Sequence, residues 1–376
     1  MRALARLLGR PLSFLLLPLS LVPFLYVVPG LLDSHREFDR RHHAEALADP
    51  GVTLSAAQQK RFQPVAAYQG AIPVLAYHGI GGRDQLSVSR RAFAEQMAAL
   101  RRMAFRSVSV EDYARFGRGD TRGLPERPIL ITFDGGRLDS YRGADRILAR
   151  FEFRATMFVR TAQVQGGNPS FLTWRELKNM AASGRWDVQP MAHAGHRLIA
   201  YNAQGDTGPF YAVRRFTRSD GLESFADYER RVAGDVFRLR TVMEEHALPA
   251  RAIAVPYGNY GQVSTNDPRI EGYMEALLAR QFGTVFVQDP SNDPAYTRPG
   301  DPAERYEVHG KTTTDQLYVW LRDHSPAAER DREAARERRA TRVRRAAQER
   351  RVTARERREA SRRRARRTTS ERNRRS

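Results

Sequence analysis

One stretch of the chain, residues 128–136, most constrains the fold that this sequence can adopt. An apolar and β-branched run of Ile, Leu, Ile, Thr and Phe ends there in Asp134, Gly135 and Gly136. Such a run predicts a buried strand that presents Asp134 at its carboxyl end. Ligands and catalytic groups collect at that end of α/β sheets, because the turns there vary without disturbing the packed strands. The alternative is that Asp134 only caps the helix predicted from Leu138.

Strand-like and helix-like stretches alternate on both sides of this run. The clearest helix signal lies over Ser89–Met103, where apolar residues recur every three or four positions behind a serine cap. The alternation predicts an α/β fold with a parallel sheet that closes, or nearly closes, into a barrel. Residues 201–225 lose this periodicity, and we expect them to form an inserted loop at one wall of the site. The predicted strands cover residues 72–78, 105–110, 128–134, 153–159, 186–189, 252–258, 283–287 and 307–309.

The first 32 residues predict the compartment. Three arginines precede residues 11–32, an uncharged and apolar stretch that is long enough to cross a bilayer. A cleaved signal peptide is the competing interpretation, but no pair of small residues offers a cleavage site. We therefore expect residues 1–32 to be a signal anchor with a transmembrane helix, residues 33–70 a stalk, and the globular domain to lie outside the cytoplasm on the cell membrane.

The positive charge is concentrated at the other end of the chain. The formal net charge is +20, and residues 326–376 contribute 21 Arg against 8 acidic residues. This Arg-rich tail has no apolar stripe, which predicts a solvated helix or a disordered arm. Outside the cytoplasm such an arm would attract anionic lipid or an acidic wall polymer, or it serves only as a solubilising tail. Nucleic acid is the disfavoured partner, because the anchor places the arm on the wrong side of the membrane.

Candidate site residues occur at several predicted strand ends besides Asp134. His78 ends the first strand, His193 and His196 follow the fifth, Tyr257 lies in the Pro-Tyr-Gly turn, and His309 ends the last. Because the chain has no cysteine, histidines and carboxylates would have to hold any metal ion. For His78 the alternative is a structural role in the core, and the same holds for Tyr257.

Three of these strand ends, residues 132–136, 191–196 and 256–258, resemble in order and spacing the polysaccharide deacetylases of carbohydrate esterase family 4. The pair Tyr77-His78 is similar to a feature of the branch that acts on poly-N-acetylglucosamine. The resemblance covers roughly residues 72–323. It implies an irregular (β/α) barrel over residues 71–325, a glycan substrate, and the removal of acetyl groups from N-acetyl sugars with the help of a divalent metal, zinc being the first choice.

Transferred residue by residue, the resemblance assigns roles that this chain keeps only in part. Asp134 matches the general base, whereas the metal-binding aspartate falls on Gly135 and the first histidine ligand on Met191. His196 matches the second histidine ligand. Since neither glycine nor methionine replaces these ligands well, His193 is the candidate for a rearranged metal site with His196. The resemblance further assigns Tyr257, Gly258 and His78 to the substrate groove, and His309 to the general acid.

Two functions therefore remain open from the sequence. The first is a membrane-anchored hydrolase that removes acetyl groups from a cell-surface or cell-wall glycan. The second is a pseudoenzyme without a metal, in which the same barrel is a glycan-binding or scaffold module. The degraded ligand positions Gly135 and Met191 leave open whether the chain is an enzyme.

Overall fold

The computed structural model describes residues 45–64, 70–165, 167–288, 290–334, 336–338 and 341. The predicted anchor at residues 1–32 and most of the predicted Arg-rich tail lie outside the described residues. Residues 326–334, at the start of that tail, are helical. In the described part of the chain no helix is both long and apolar enough to cross a bilayer.

The core of the fold is an eight-stranded sheet in which every pairing is parallel. Seven strands follow the order β12-β13-β14-β1-β5-β6-β7, and β4 pairs with β5 off this path. The sheet confirms the predicted α/β fold of the barrel type, since helices follow most of its strands. These strands are β1 (Val74–Tyr77), β4 (Arg106–Ser107), β5 (Pro128–Gly135), β6 (Ala155–Arg160), β7 (Trp186–Ala192), β12 (Ala252–Ala254), β13 (Thr284–Gln288) and β14 (Ala303–Val308).

The other strands of the described residues form three small pairs outside this sheet. They are β2 (Gly79–Ile80) with β3 (Ser87–Val88), β8 (Leu198–Ala200) with β9 (Thr207–Pro209), and β10 (Phe216–Thr217) with β11 (Gly221–Leu222). The last two pairs are antiparallel. The predicted inserted loop over residues 201–225 therefore has some regular structure of its own.

The helices begin where the sequence offers capping side chains. Ser89 accepts from the amide of Ala92, which confirms the predicted cap, and Thr173 forms a capping box with Glu176. The helices are α1 (Ala56–Arg61), α2 (Arg90–Arg102), α3 (Val110–Gly117), α4 (Leu138–Arg150), α5 (Thr161–Gln165), α6 (Trp174–Ala182), α7 (Phe225–Glu245), α8 (Arg269–Gln281) and α9 (Thr314–Asp323), with a 3₁₀ turn at Pro256–Gly258.

Part of the predicted stalk packs against the barrel. Val52 and Phe62 are buried in the same hydrophobic core as the sheet residues Phe133 and Trp186. The main-chain amide of Leu47 also donates to the carbonyl of Arg142 on α4. Residues 45–64 therefore contribute to the core of the folded domain.

A side chain bridges the gap between the two ends of the sheet. Strands β7 and β12 are neighbours but no backbone ladder joins them. The Gln189 Oε1 atom of β7 instead accepts hydrogen bonds from the amides of Arg251 and Ala252, at 2.9 and 3.1 Å. Since buried amides need partners, Gln189 satisfies the edge of β12 where the barrel stays open.

We expect Gln189→Leu to lower the free energy of unfolding by about 1–3 kcal/mol, because the buried amide of Ala252 and the partly buried amide of Arg251 would lose their acceptor. The measurement is urea denaturation of the natural chain and the variant. Thr156→Val is the matched control, since the Thr156 hydroxyl on neighbouring β6 is buried without a hydrogen-bond partner among the described residues. An equal effect of both substitutions would contradict the assigned bridge.

Candidate functional site

Several titratable and polar side chains meet at the carboxyl end of the barrel. Asp134 lies near the end of β5, Arg160 ends β6, and Glu307 lies near the end of β14. His78 directly follows β1, and His196 lies in the turn after β7. Because all these strands run parallel, their ends surround one cleft, as the sequence predicts.

Asp134 is held by a buried arginine of β14, which is separated from β5 by the single strand β1. The two carboxylate oxygens accept hydrogen bonds from Nη1 and Nη2 of Arg305, at 2.7 and 2.9 Å. The Arg305 side chain is fully buried and that of Asp134 is 6% exposed. Nη1 of Arg305 also donates to the Thr132 hydroxyl at 3.3 Å. Helix α4 begins after Arg137 without a side-chain cap, so the alternative that Asp134 only caps this helix is wrong.

The ion pair keeps Asp134 ionised. Burial opposes the charged form, but the charge and hydrogen bonds of Arg305 outweigh burial and hold the pKa of Asp134 below its usual range. His78 and His196 act on this carboxylate in the same direction, which places both rings near it. Asp134 is therefore a fixed anion at the base of the cleft.

His78 is paired with a second carboxylate. Its Nε2 atom donates to Oε1 of Glu307 at 2.5 Å. This hydrogen bond lowers the pKa of Glu307, against the effect of burial. The backbone of Glu307 is fixed in turn by the side chain of Asn292, which accepts from its amide and donates to its carbonyl. His78 therefore lies in the cleft with a defined ring orientation, and its role in the site stays a prediction.

The two histidines after β7 have different surroundings. Nδ1 of His193 is hydrogen-bonded to the Thr161 hydroxyl at 2.9 Å. The buried carboxylate of Asp235 accepts from the amides of His193 and Ala194 and from the Tyr211 hydroxyl. Asp235 thus fixes the turn, and His193 is engaged by Thr161.

His196 packs beside Tyr257, with ring centroids 4.7 Å apart. Burial and the nearby charge of Arg160 lower the pKa of His196, so its ring is neutral at pH 7. Tyr257 has a left-handed backbone (φ 57°) and is 43% exposed, so it lies at the rim of the cleft. The next residue must be glycine, because a Cβ at Gly258 would lie 2.4 Å from Cβ of Gln288.

Neither degraded ligand position offers a ligand to a metal. At Gly135 (φ 95°) an ideal Cβ would lie 3.7 Å from Nε and 3.9 Å from Nη2 of Arg160, so a guanidinium faces this position. Met191 is 2% exposed and belongs to the hydrophobic core. The register of β6 on β7 shifts here, because Val159 pairs with Pro190 and Arg160 with Ala192.

The residues present do not fit the divalent metal that the resemblance implies. A cation is facing Gly135, Met191 is buried in the core, and both oxygens of Asp134 are taken by Arg305. Within the described ranges, no group of three or more His, Cys, Asp or Glu side chains is close enough to hold a metal ion. The rearranged site of His193 and His196 stays a prediction.

His309 lies in the turn after β14, where its amide donates to the Thr312 hydroxyl. Its Nδ1 atom is buried and has no partner among the described residues. His309 acts on the pKa of Glu307, so it borders the cleft. Its role as general acid stays a prediction.

Sequence reasoning missed two residues of the cleft, Arg160 and Arg305. It also missed the pairing of Glu307 with His78. Arg160 directly follows the predicted strand 153–159, which is the same signal that singled out Asp134. Arg305 was missed because the last strand begins at Ala303 and not at residue 307 as predicted. The Arg305 side chain points into the barrel because the strand begins at Ala303, and side chains alternate between the two faces of a strand.

Comparison with known proteins gives consistent results. Residues 121–273 match the family model described as polysaccharide deacetylase. The poly-beta-1,6-N-acetyl-D-glucosamine N-deacetylase of Escherichia coli K12 is 28% identical over 206 residues, which are 50% of this chain and 30% of that protein. This chain therefore covers less than a third of that relative's length.

Solved structures share the fold. IcaB from Ammonifex degensii is 26% identical with a TM-score of 0.51, over 68% of this chain and 98% of that one. The BpsB deacetylase domain from Bordetella bronchiseptica gives a TM-score of 0.53 at 22% identity, over 64% and 97% of the two chains. The BpsB match supports the fold alone.

We expect Arg305→Met to lower the free energy of unfolding by about 3–5 kcal/mol, since it leaves a buried carboxylate unpaired. The double variant Arg305→Met with Asp134→Leu should recover most of this loss. Urea denaturation measures both, and Arg122→Met at an exposed ion pair is the control that should change little. A double variant that is no more stable than Arg305→Met would contradict the assigned pairing.

The same pair should make the stability depend on acid. Because the folded state lowers the pKa of Asp134, its contribution is complete above the unfolded pKa of about 3.9. It is lost as the pH falls from there through the lower folded pKa. The difference in unfolding free energy between the natural chain and the double variant should therefore be constant from about pH 7 to 5 and shift against the natural chain below about pH 4. A difference that stays constant down to pH 2 would contradict this.

Proposed function

The chain carries a domain of the polysaccharide deacetylase family, and from that premise we propose that it removes acetyl groups from the N-acetyl sugars of a polysaccharide. A β-1,6-linked poly-N-acetylglucosamine is the proposed substrate class, on the basis of the name of the E. coli relative. The chain matches only 30% of that relative, so the substrate belongs to the proposal.

One observation carries this proposal. Asp134, His78 and His196 stand around one cleft at the carboxyl end of a parallel barrel, close enough for both rings to act on the pKa of the carboxylate. Tyr257 at the rim exposes an aromatic ring to solvent. An aromatic surface above a group of titratable side chains suits a sugar ring whose acetamido group points into the cleft.

Hydrolysis of an acetamido group needs a proton acceptor and a proton donor. Water adds to the carbonyl carbon, the carbon–nitrogen bond breaks, and acetate and a free amine leave. His196 is neutral at pH 7 and is able to accept a proton from water. Asp134, the predicted base, is held as an anion by Arg305, and its low pKa limits it as a proton acceptor. The departing amine needs a proton donor, for which the candidates are His309, the predicted general acid, and His78, which Glu307 orients.

The second candidate function is glycan binding without turnover. It is favoured by Gly135 and Met191, which replace two expected metal ligands, and by the engagement of both Asp134 oxygens by Arg305. The same cleft and the same aromatic rim would then serve recognition alone.

Location and further partners are also part of the proposal. The apolar residues 11–32 support a single-pass membrane anchor with the barrel outside the cytoplasm, where cell-surface and wall glycans lie. The Arg-rich tail supports contact with anionic lipid or an acidic wall polymer.

We expect the natural full chain to release acetate from β-1,6-linked N-acetylglucosamine oligosaccharides, with no loss of rate when a chelator is added. His196→Gln should reduce the rate at least about 100-fold, as expected for the loss of a general base. The measurement is acetate release followed over time. His246→Gln is the control, because this histidine stacks on Trp174 instead of facing the cleft.

Other results would decide between the alternatives. Binding of the oligosaccharide without acetate release would replace the hydrolase by the binding module. Activity that needs zinc and is lost in His193→Gln would support the rearranged metal site. Neither binding nor release would reject both proposed functions.

A further inference from the structure

Most of the charged side chains described in the cleft have a partner of opposite charge. Arg305 is paired with Asp134, and Glu307 with His78. Arg137, the other arginine near Gly135, is bound by Asp84 and Asp139. These groups therefore offer a ligand little uncompensated charge.

Arg160 differs from them. Its Nε atom is buried and has no hydrogen-bond partner among the described residues, which is also true of Nε of Arg305, but both Nη atoms of Arg305 donate to Asp134. The guanidinium lies over the ring of Phe171, with its central carbon 4.5 Å from the ring centroid, so a cation–π contact holds it in place. A buried donor without a partner is costly, and such groups in natural proteins need an explanation.

The direction of Arg160 follows from a defect in the sheet. Between Val159 and Arg160 the pairing with β7 shifts by one residue, which leaves Met191 without a partner on β6. Such bulges occur next to active sites and re-aim side chains. Here the shift coincides with a side chain whose Nε and Nη2 atoms face the empty side of Gly135.

The surroundings of the guanidinium define what it can bind. Asp134, His196 and Tyr257 are near enough to interact with its charge. These are also the groups at which an acetamido group would lie under the proposed function. A carbonyl oxygen is an acceptor that needs a donor, and it gains negative charge when water adds to its carbon.

We propose that Arg160 is the cationic group of this cleft and that its guanidinium binds the acetamido carbonyl oxygen of the sugar. Gly135 leaves the space for this contact, because an aspartate there would meet the guanidinium instead. The inference deepens the proposed function and rests on it. It also gives Gly135 and Arg160 a joint role, because the charge that polarises the carbonyl would come from the Arg160 side chain instead of a metal ion.

The test compares two ligands and four forms of the full chain. The ligands are a β-1,6-linked N-acetylglucosamine oligosaccharide and the same oligosaccharide without its acetyl groups, titrated by calorimetry with a chelator present. The forms are the natural chain, Arg160→Met, Arg160→Lys and Arg154→Met. Arg154 is the matched control because it lies at the opposite end of β6 and its Nε is also buried without a partner among the described residues. Mass spectrometry of the recovered oligosaccharide checks for acetyl loss during titration.

We expect the natural chain and Arg154→Met to prefer the acetylated ligand. Arg160→Met should lose about tenfold to hundredfold in affinity for that ligand, the usual range for a hydrogen bond to a charged group, and should lose the preference. Arg160→Lys should keep part of it. Circular dichroism and thermal unfolding of each variant verify that it is folded.

Two results would overturn the inference, and they are distinguishable. If Arg160→Met is folded and keeps the preference for the acetylated ligand, the carbonyl is not bound by Arg160, while the proposed function stands. If the natural chain binds neither ligand, the proposed function fails and the inference falls with it.

Discussion

The buried ion pair between Asp134 and Arg305 is the interaction on which the site depends. The two residues come from β5 and β14, the strands on either side of β1, so the pair ties three neighbouring strands together inside the barrel. Its bidentate geometry fixes the carboxylate, and removal of either partner would leave a buried charge. The position and ionisation of Asp134 are therefore properties of the barrel core as much as of the cleft.

This ion pair limits what the cleft is able to bind. A carboxylate with both oxygens engaged has little capacity left for a metal ion, and the neighbouring residues do not supply it. Gly135 has no side chain and Met191 is buried in the core. The guanidinium of Arg160 is the charge at the site that we propose is open to a ligand. Arg160 lies where the register between β6 and β7 shifts. The two positions without a metal ligand, Gly135 and Met191, are thus both next to Arg160: its guanidinium faces Gly135, and the register shift beside it leaves Met191 without a partner on β6.

Much of the fold follows from local sequence patterns. The strand with Asp134 at its carboxyl end, the helix from Leu138 and the cap at Ser89 were predicted and are present, because hydrophobic spacing and capping side chains act over a few residues. The resemblance to the deacetylases was also predictable, since it rests on three short motifs in order. The comparisons agree with this resemblance, since residues 121–273 match the family model described as polysaccharide deacetylase.

What could not be predicted depends on contacts distant in sequence. Asp134 and Arg305 are 171 positions apart, and no local pattern links them. The same applies to Gln189 and the amides of Arg251 and Ala252. The direction of Arg160 depends on a register shift, which hydrophobic spacing does not reveal. The candidate ligand His193 was selected by spacing alone, and only the structure shows its bond to Thr161.

The most direct test of this account is a crystal structure of the natural protein bound to an N-acetylglucosamine oligosaccharide, grown with zinc in the solution. The account predicts the acetamido carbonyl oxygen within about 3 Å of the Arg160 guanidinium, with Asp134 still paired to Arg305. A zinc ion held by His196 and Asp134, with the Asp134–Arg305 pair broken, would contradict it.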